Sequence, residues 1–555
     1  MQPSYVHQVR RQVCEYGDTR SYTYLREVGR EFVEEIVTYR ELDRDARAVA
    51  AWLATRREAA QPVVLLYQDG MAFLRAFLGC LYAGVVAVPA PLPHYESSAQ
   101  RVRGIIADSG AQLVLTSADV RPLVAAATTA TVVATDDPLG DPDAWRMPDI
   151  DSATIAFLQY TSGSTGTPKG VVVTHGNLMH NEAAIMAIGL DDSTTAVSWI
   201  PHFHDMGLIG LLLAVVYGGG NLVFMAPTTF LKRPVRWLQA IDKYRATITA
   251  APNFAYDLIL RRVSDEQLAE LDLSTLTIAL CGAEPVRERT VTAVLERFAP
   301  AGLRPTAFLP AYGLAEVTLL ASVGAVDAAP VYLDSENGAR IIGCGAPARG
   351  LDIRIVDPDT RERLPDNTVG EIWIRGDSVA AGYWNRPAET VDTFDAHIGT
   401  EGPFLRTGDL GLLRDNELFV TGRRKDLLII NGRNVYPQDV EELVQELHPA
   451  LADSTGVAVA VDAGGRERMV VVQGVQPARL GGSTLAELTS TIKIAVARSF
   501  DVPAPNVVLV ERRAVHRTTS GKVQRGAMRD AFLQHRIEGV LHEDLEPALN
   551  RALTV

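Results

Sequence analysis

The stretch Pro62–Ala90, PVVLLYQDGMAFLRAFLGCLYAGVVAVPA, holds two short apolar runs around one longer helical stretch. Runs as short and as uniformly apolar as VVLL and VVAVPA read as buried strands, and the segment between them is long enough for a helix. Strand, helix, strand is a βαβ unit, and a parallel sheet of such units is covered on both faces. Similar runs recur as AQLVLT (111–116), TIAFLQYT (154–161), TAVSWIP (195–201), NLVFMAP (221–227), ATITAAP (246–252) and TIALCG (277–282). Helical stretches such as NLMHNEAAIMAI (177–188) and PVRERTVTAVLERF (285–298) separate several of them. The alternation predicts α/β layers with mostly parallel sheets. LVAAATTATVVATDD (123–137), mildly low in complexity, reads as strand-like.

From about Gly350 the texture changes to alternating strands, LDIRIVD and GEIWIRG, with a hairpin signal at Asp415-Asn416 between GLLR and ELFVTG. After GRRKD comes a compact tail of two helical stretches, PQDVEELVQEL and LAELTSTIKIAVARSF, and two strands, GVAVAV and RMVVVQGV. A boundary at Arg424–Asp426 gives an expected N-terminal domain of residues 1–424 and a C-terminal domain of residues 425–555. A chain of 555 residues exceeds what one core usually supports, so two domains fit its length.

A composition of 47% hydrophobic and 22% charged residues is that of a globular protein, and a formal charge of −14 argues against a nucleic-acid surface. Cys14, Cys80, Cys281 and Cys344 lie far apart, with no CxxC and no metal-ligand spacing, as for reduced thiols in a cytoplasm. The first twenty residues lack the apolar core of a signal peptide, and the longest apolar run, GLIGLLLAVVYGGG, is too short to span a bilayer. A soluble, cytoplasmic protein is expected, not an integral membrane one.

Seven further stretches carry candidate chemistry. YTSGSTGTPKG (160–170) is dense in glycine and hydroxyl groups but fails GxxxxGK[ST], since Pro168 and Gly170 stand where Gly and Ser or Thr are needed. It lies between two strands, so loop amides, hydroxyls and Lys169 would hold a phosphate without a helix N-terminus; the bland alternative is a surface turn. IPHFHDMGLIG (200–210) offers His202, His204 and Asp205 as a metal corner, as structural loop residues, or with His204 lining a substrate tunnel. LCGAEPV (280–286) and LPAYGLAE (309–316) end apolar strands, where α/β sheets bind ligands. Tyr312 suits a purine face and Glu316 a hard cation, unless both mark ordinary glycine turns. Asp409 in FLRTGDLG and Arg423 in FVTGRRKD would grip ribose hydroxyls from two sides. HRTTSGKVQR (516–525) offers Lys522 on a glycine-containing turn, which alone equally fits a solvated basic loop.

In order, YTSGSTGTPKG, CGAEP, AYGLAE, RTGDLG, GRRKD and TTSGKVQR resemble the adenylate-forming superfamily of acyl-CoA synthetases, luciferases and nonribosomal-peptide adenylation domains. AFLGCLYAGVVAVPAP, PHFHDMGLIG, EGPFLRTGDLG and GRNVYPQDVE are most similar to the fatty acyl-AMP ligases of that superfamily. The resemblance implies a large N-terminal domain of α/β layers with a distorted β-barrel subdomain, then a small mobile α+β domain carrying the catalytic lysine. It implies ATP and Mg²⁺, a fatty or related carboxylic acid, and a holo acyl carrier protein on a separate chain whose phosphopantetheine thiol takes the acyl group. In such ligases an insertion tied to exclusion of coenzyme A follows the AYGLAE motif; here the corresponding Val317–Gly343 is short. An acyl- or aryl-CoA synthetase is therefore the nearest alternative, and a non-catalytic binding relative a more distant one.

By the same resemblance, Thr161, Ser162, Gly163, Ser164, Thr165, Gly166 and Lys169 hold the β- and γ-phosphates, and Glu316 with the Thr165 hydroxyl holds Mg²⁺. Gly282, Ala283 and Glu284 with Ala311, Tyr312 and Gly313 frame the adenine, and Asp409 and Arg423 take the ribose. His204, Asn253 and Phe254 border the acyl group, Lys425 is the hinge, and Lys522 stabilises the charge that builds up around the α-phosphate.

Overall fold

Pro62–Ala90 folds as strand Val63–Leu66, helix Gly70–Ala83 and strand Ala87–Pro89, with the two strands parallel and Val63 opposite Ala87. Asp69 caps the helix by accepting the amides of Met71 and Ala72 at 2.9 Å, and Gly84 ends it in the left-handed conformation at φ 66°. Val63 and Leu65 point into the central core while Val64 and Leu66 enter an outer one, which is why the run reads as continuously apolar. The structure, a computed structural model, describes residues 3–29, 31–137, 139–161, 168–334, 340–431, 433–452, 454–463, 466–517, 523–547 and 549–550.

Two large mixed sheets build the N-terminal α/β domain. One has six strands, in the order Thr131–Ala134, Leu113–Thr116, Val63–Leu66, Ala87–Pro89, Ile155–Thr161 and Lys169–Thr174. All its neighbours run parallel except the last pair, a hairpin whose register sets Thr161 opposite Lys169. The other has nine strands; its centre, from Phe308–Gly313 through Ile278–Cys281, Ile248–Ala251, Thr195–Ser198 and Asn221–Met225 to Ser21–Val28, is parallel throughout. The expected mostly parallel layers are therefore present, with antiparallel strands at the edges.

One expectation is corrected. Residues 123–137 are not one strand: Arg121–Ala127 is a helix and only Thr131–Ala134 pairs in the sheet, because the alanines favour a helix and the β-branched TVVA does not. The alternating strands expected from about Gly350 form a five-stranded sheet, Leu351–Val356, Gly370–Gly376, Glu401–Arg414 and Ala396–Ile398 in order, with Glu417–Arg423 also on Glu401–Arg414. Among the described residues no pairing joins its edges. The hairpin is where the sequence sets it: Arg414 lies opposite Glu417, with Asp415 and Asn416 at φ 52° and 65°.

The chain leaves this sheet through a 3₁₀ turn, Arg424–Asp426, and enters a smaller α+β domain. Its four strands run in the order Gly456–Asp462, Glu467–Val475, Asn506–Glu511 and Val540–Asp544, packed with helices Pro437–Glu446, Leu485–Phe500 and Arg525–Leu533. Arg289 of the large domain reaches across to Glu442 at 2.9 Å and Glu446 at 2.6 Å.

GLIGLLLAVVYGGG is buried but irregular: a turn of α-helix at Asp205–Gly207, a π-helix at Leu208–Leu213, then α-helix Ala214–Gly218. The wider π register alters which carbonyls meet amides. Three tyrosines from the N-terminal segments donate hydroxyls to carbonyls there, Tyr22 to Leu212 at 2.5 Å, Tyr5 to Leu213 at 2.7 Å, and Tyr39 to Val215 at 3.2 Å and Gly220 at 2.7 Å. Among the described residues no helix is long and apolar enough to cross a membrane.

Candidate active site

The C-terminal ends of the parallel strands Ile248–Ala251, Ile278–Cys281 and Phe308–Gly313 open into a cavity of about 690 Å³. One end is charged, lined by Thr161, Lys169, Glu316, Asp409, Arg423 and Lys425; the other is apolar, lined by Ile185, Ile188, Leu190, Ile248 and Ile278. A second cavity of about 1880 Å³ lies between the two domains and shares Ala283, Ala311, Tyr312, Gly313, Asp409 and Arg423 with the first.

At the charged end Glu316 stands on the 3₁₀ turn Ala315–Val317, just past its strand, and accepts the Tyr383 hydroxyl at 2.9 Å. The turn is tight: a Cβ at Gly313 would come within 2.0 Å of the Leu319 carbonyl oxygen, so only glycine fits. Burial pushes the Glu316 carboxyl above its ordinary range. Lys169 pairs with Glu389 and has its ammonium 5.1 Å from the centroid of the Tyr383 ring. Thr161 shares this end; Ser162, Gly163, Ser164, Thr165 and Gly166 lie outside the described residues, as does Lys522.

Asp409 and Arg423 face each other on neighbouring strands and pair at 3.1 Å, while Tyr312 donates to the other Asp409 oxygen at 2.7 Å. The two are thus brought together as one ion pair, not on two sides of a gap. Burial and the Asp409 charge hold the Tyr312 phenol well above its usual range. Ala283 has φ 67°, an unusual backbone for a residue with a Cβ, at the strand end where both cavities meet. Lys425, in the 3₁₀ turn, points into the charged end, where burial and then Arg423 lower its pKa.

The two histidines of IPHFHDM part company. His202 is buried against Phe73, ring centroids 4.4 Å apart, and burial pulls its pKa down to about 4. His204 lines the cavity and pairs with Asp205 at 2.7 Å. The chain turns between them, with the His204 amide donating to the Pro201 carbonyl at 3.0 Å, and among the described residues no group of three or more His, Cys, Asp or Glu could hold a metal ion, so the metal corner is not formed.

Asn253 and Phe254 line the interdomain cavity, not the apolar end. The Asn253 amide is occupied structurally: it donates to Asp257 at 3.3 Å and Thr290 at 3.2 Å and accepts the Arg287 amide at 3.0 Å. Glu284 accepts the Phe254 amide at 2.5 Å, and the Phe254 ring packs edge-on against Trp199. Arg517 and Val523, which flank the segment containing Lys522, line the same interdomain cavity as Glu284 and Tyr312. Tyr383 belongs to the site without any motif announcing it, and Arg406 sits inside FLRTGDLG without being singled out there; Arg406 pairs with Glu371 at 3.1 Å, and both reach the charged end.

Residues 9–384 match the model of the AMP-binding enzyme family, and residues 425–540 match that of a Disco-interacting protein 2-like AMP domain. The chain is 42% identical over 532 residues to a medium-chain-fatty-acid–[acyl-carrier-protein] ligase, JamA, of Moorena producens, covering 90% of each. It is 38% identical to the long-chain-fatty-acid–AMP ligase FadD26 of Mycobacterium bovis, over 84% of this chain and 86% of that one. Among solved structures it is similar to the fatty acid AMP ligase of Legionella pneumophila, with 36% identity, a TM-score of 0.74, and coverage of 98% of this chain and 97% of that one.

Proposed function

The chain belongs to the AMP-binding enzyme family of adenylate-forming ligases, with fatty acyl-AMP ligases among its relatives, and from that premise we propose how its site works. It activates a carboxylic acid with ATP as the acyl-adenylate. In our reading the acid is fatty, and the acyl group then passes to the phosphopantetheine thiol of a carrier protein on another chain. The observation that carries this reading is a single cavity with a charged end and an apolar end, which suits a triphosphate at one and an alkyl tail at the other.

A carboxylate oxygen attacks the α-phosphorus, forming the mixed anhydride as the bond to pyrophosphate breaks. Two anions meet, so positive charge has to be arranged beforehand. Lys169 and the glycine-rich loop Thr161–Gly166 hold the leaving pyrophosphate. Tyr312 and the Gly282–Glu284 turn frame the adenine. Asp409 keeps lone pairs for the ribose hydroxyls beyond those given to Tyr312 and Arg423. His204 borders the reacting carboxylate. The Glu316 carboxylate, with one oxygen bonded to Tyr383, has the hard oxygen donor that Mg²⁺ prefers, and with Thr165 it would hold the ion that screens the triphosphate.

Residues 1–424 form the nucleotide and acyl platform, and residues 425–555 swing about Lys425. In the first arrangement they present Lys522 to the α-phosphate; in the second they withdraw it and admit the thiol. The position of Arg517 and Val523 on the interdomain cavity supports this role for the segment between them. Free coenzyme A is the second acceptor to test, because Val317–Gly343 is short.

The test supplies ATP, Mg²⁺ and a panel of acids, follows pyrophosphate, and offers coenzyme A or holo-carrier protein as acceptor. Lys522→Ala is expected to lower adenylate formation by about a hundredfold or more, while transfer from a supplied acyl-adenylate continues. Normal pyrophosphate release by that variant removes Lys522 from the chemistry. Acylation of coenzyme A in preference to the carrier selects the second acceptor.

A further inference from the structure

We propose that the apolar end of the cavity is a ruler for acids of medium length, with Ile248 and Ile278 as its floor. The inference rests on the activation reading above and deepens it by naming the class of acid. Strands Ile248–Ala251 and Ile278–Cys281 are parallel neighbours, with Ile248 opposite Ile278 and Ala250 opposite Leu280. Side chains alternate along a strand. Ile248, Ala250, Ile278 and Leu280 accordingly face the central core, while Ala251, Ala279 and Cys281 face the other way.

Along the cavity-facing side the residues change in size. Gly282, Ala250 and Ala311 stand near the strands' C-terminal ends, close to the nucleotide end, and leave a channel open beside Leu280, which lines the same cavity opposite Ala250. Ile248 and Ile278 occupy the opposite ends of the same two strands, and both are nearly fully buried. The loop after helix His175–Met186 closes over them: a Cβ at Gly189 would lie 3.8 Å from Ile278 Cδ1, and Ile188 and Leu190 on either side line the same end.

The distance sets the length. Gly282, which lines the cavity just past the C-terminal end of its strand, is four residues from Ile278, or about 13 Å at roughly 3.3 Å per residue. A zigzag alkyl chain with bonds of about 1.5 Å advances roughly 1.3 Å per carbon, so about ten carbons fill the channel. Longer acids meet the isoleucine pair, and shorter ones leave apolar surface uncovered.

The experiment measures ATP- and acid-dependent pyrophosphate release over saturated acids from hexanoic to octadecanoic, for the full chain and two variants. The unaltered protein is expected to peak near decanoic acid and to lose about tenfold or more in kcat/KM by hexadecanoic acid. Ile278→Ala should move the optimum to longer acids. Ala250→Leu, which fills the channel above the floor without opening a void, should move it to shorter ones and remains informative if Ile278→Ala folds poorly. Equal use of decanoic and hexadecanoic acids, or an optimum unmoved by Ala250→Leu, overturns the ruler while leaving activation intact. Pyrophosphate release with no acid of the series overturns the activation reading and the ruler with it.

Discussion

His175 and His202 are both nearly fully buried, and burial lowers both pKa values to about 4. The unfolded chain takes up these protons below about pH 6.5, whereas the folded protein refuses them until about pH 4. Each histidine therefore contributes stability that is complete above pH 6.5 and is lost as the pH falls toward 4, roughly 3 kcal/mol apiece at the lower limit. His202→Phe keeps an aromatic ring against Phe73 and should flatten the decline in urea-unfolding free energy between pH 7 and pH 5 relative to the parent. Parallel pH profiles for the two proteins would remove His202 from the linkage. This residue also marks a limit of the sequence. His202 and His204 look equivalent in PHFHD, and only the direction of each ring assigns one to the core and the other to the cavity. Asn253 is similar: its residue type suits a substrate contact, but its amide is consumed by Asp257, Thr290 and Arg287, two of them more than thirty positions away.

Elements were the most legible level, because buried parallel strands and two-residue turns leave local signatures. Asp415-Asn416 requires left-handed backbone at both residues, which Asn and Asp tolerate and β-branched residues do not. Asn416→Val should destabilise the protein by about 1–2 kcal/mol, and Asn416→Gly should be near neutral, as denaturant midpoints would report. A valine variant as stable as the parent would mean that the turn relaxes to another type. The hairpin matters to the site because its register brings Asp409 opposite Arg423. How the other edges of that sheet are placed was not legible, since it depends on which edges pair across long separations and no turn residue encodes that. Tyr383 was hidden for the same reason: it belongs to no motif and reaches Glu316 from 67 positions away.

At the scale of the whole molecule, Arg289 with Glu442 and Glu446 forms ion pairs that link the domains in this arrangement. Half-exposed pairs of this kind are worth under about 1 kcal/mol each, enough to bias a domain equilibrium but not to fix it. Arg289→Ala should leave global stability nearly unchanged and raise, a few-fold, the rate at which preformed acyl-adenylate is discharged to thiol in a single turnover. The effect should fade at high salt. An unchanged discharge rate at low salt would show that the pairs do not govern the proposed swing. The order of motifs along the chain made the two-domain organisation readable, but not which contacts hold the domains. The π-helix gives the N-terminal segments a part that no motif assigns to them. Tyr5, Tyr22 and Tyr39 touch none of the reacting groups, yet their hydroxyls are the guy-ropes of the helix whose Gly210 and Leu211 wall the proposed acyl channel. The bore of that channel is thus tensioned from the outside, and changes in the first forty residues would be felt as altered taste for acids before any loss of chemistry.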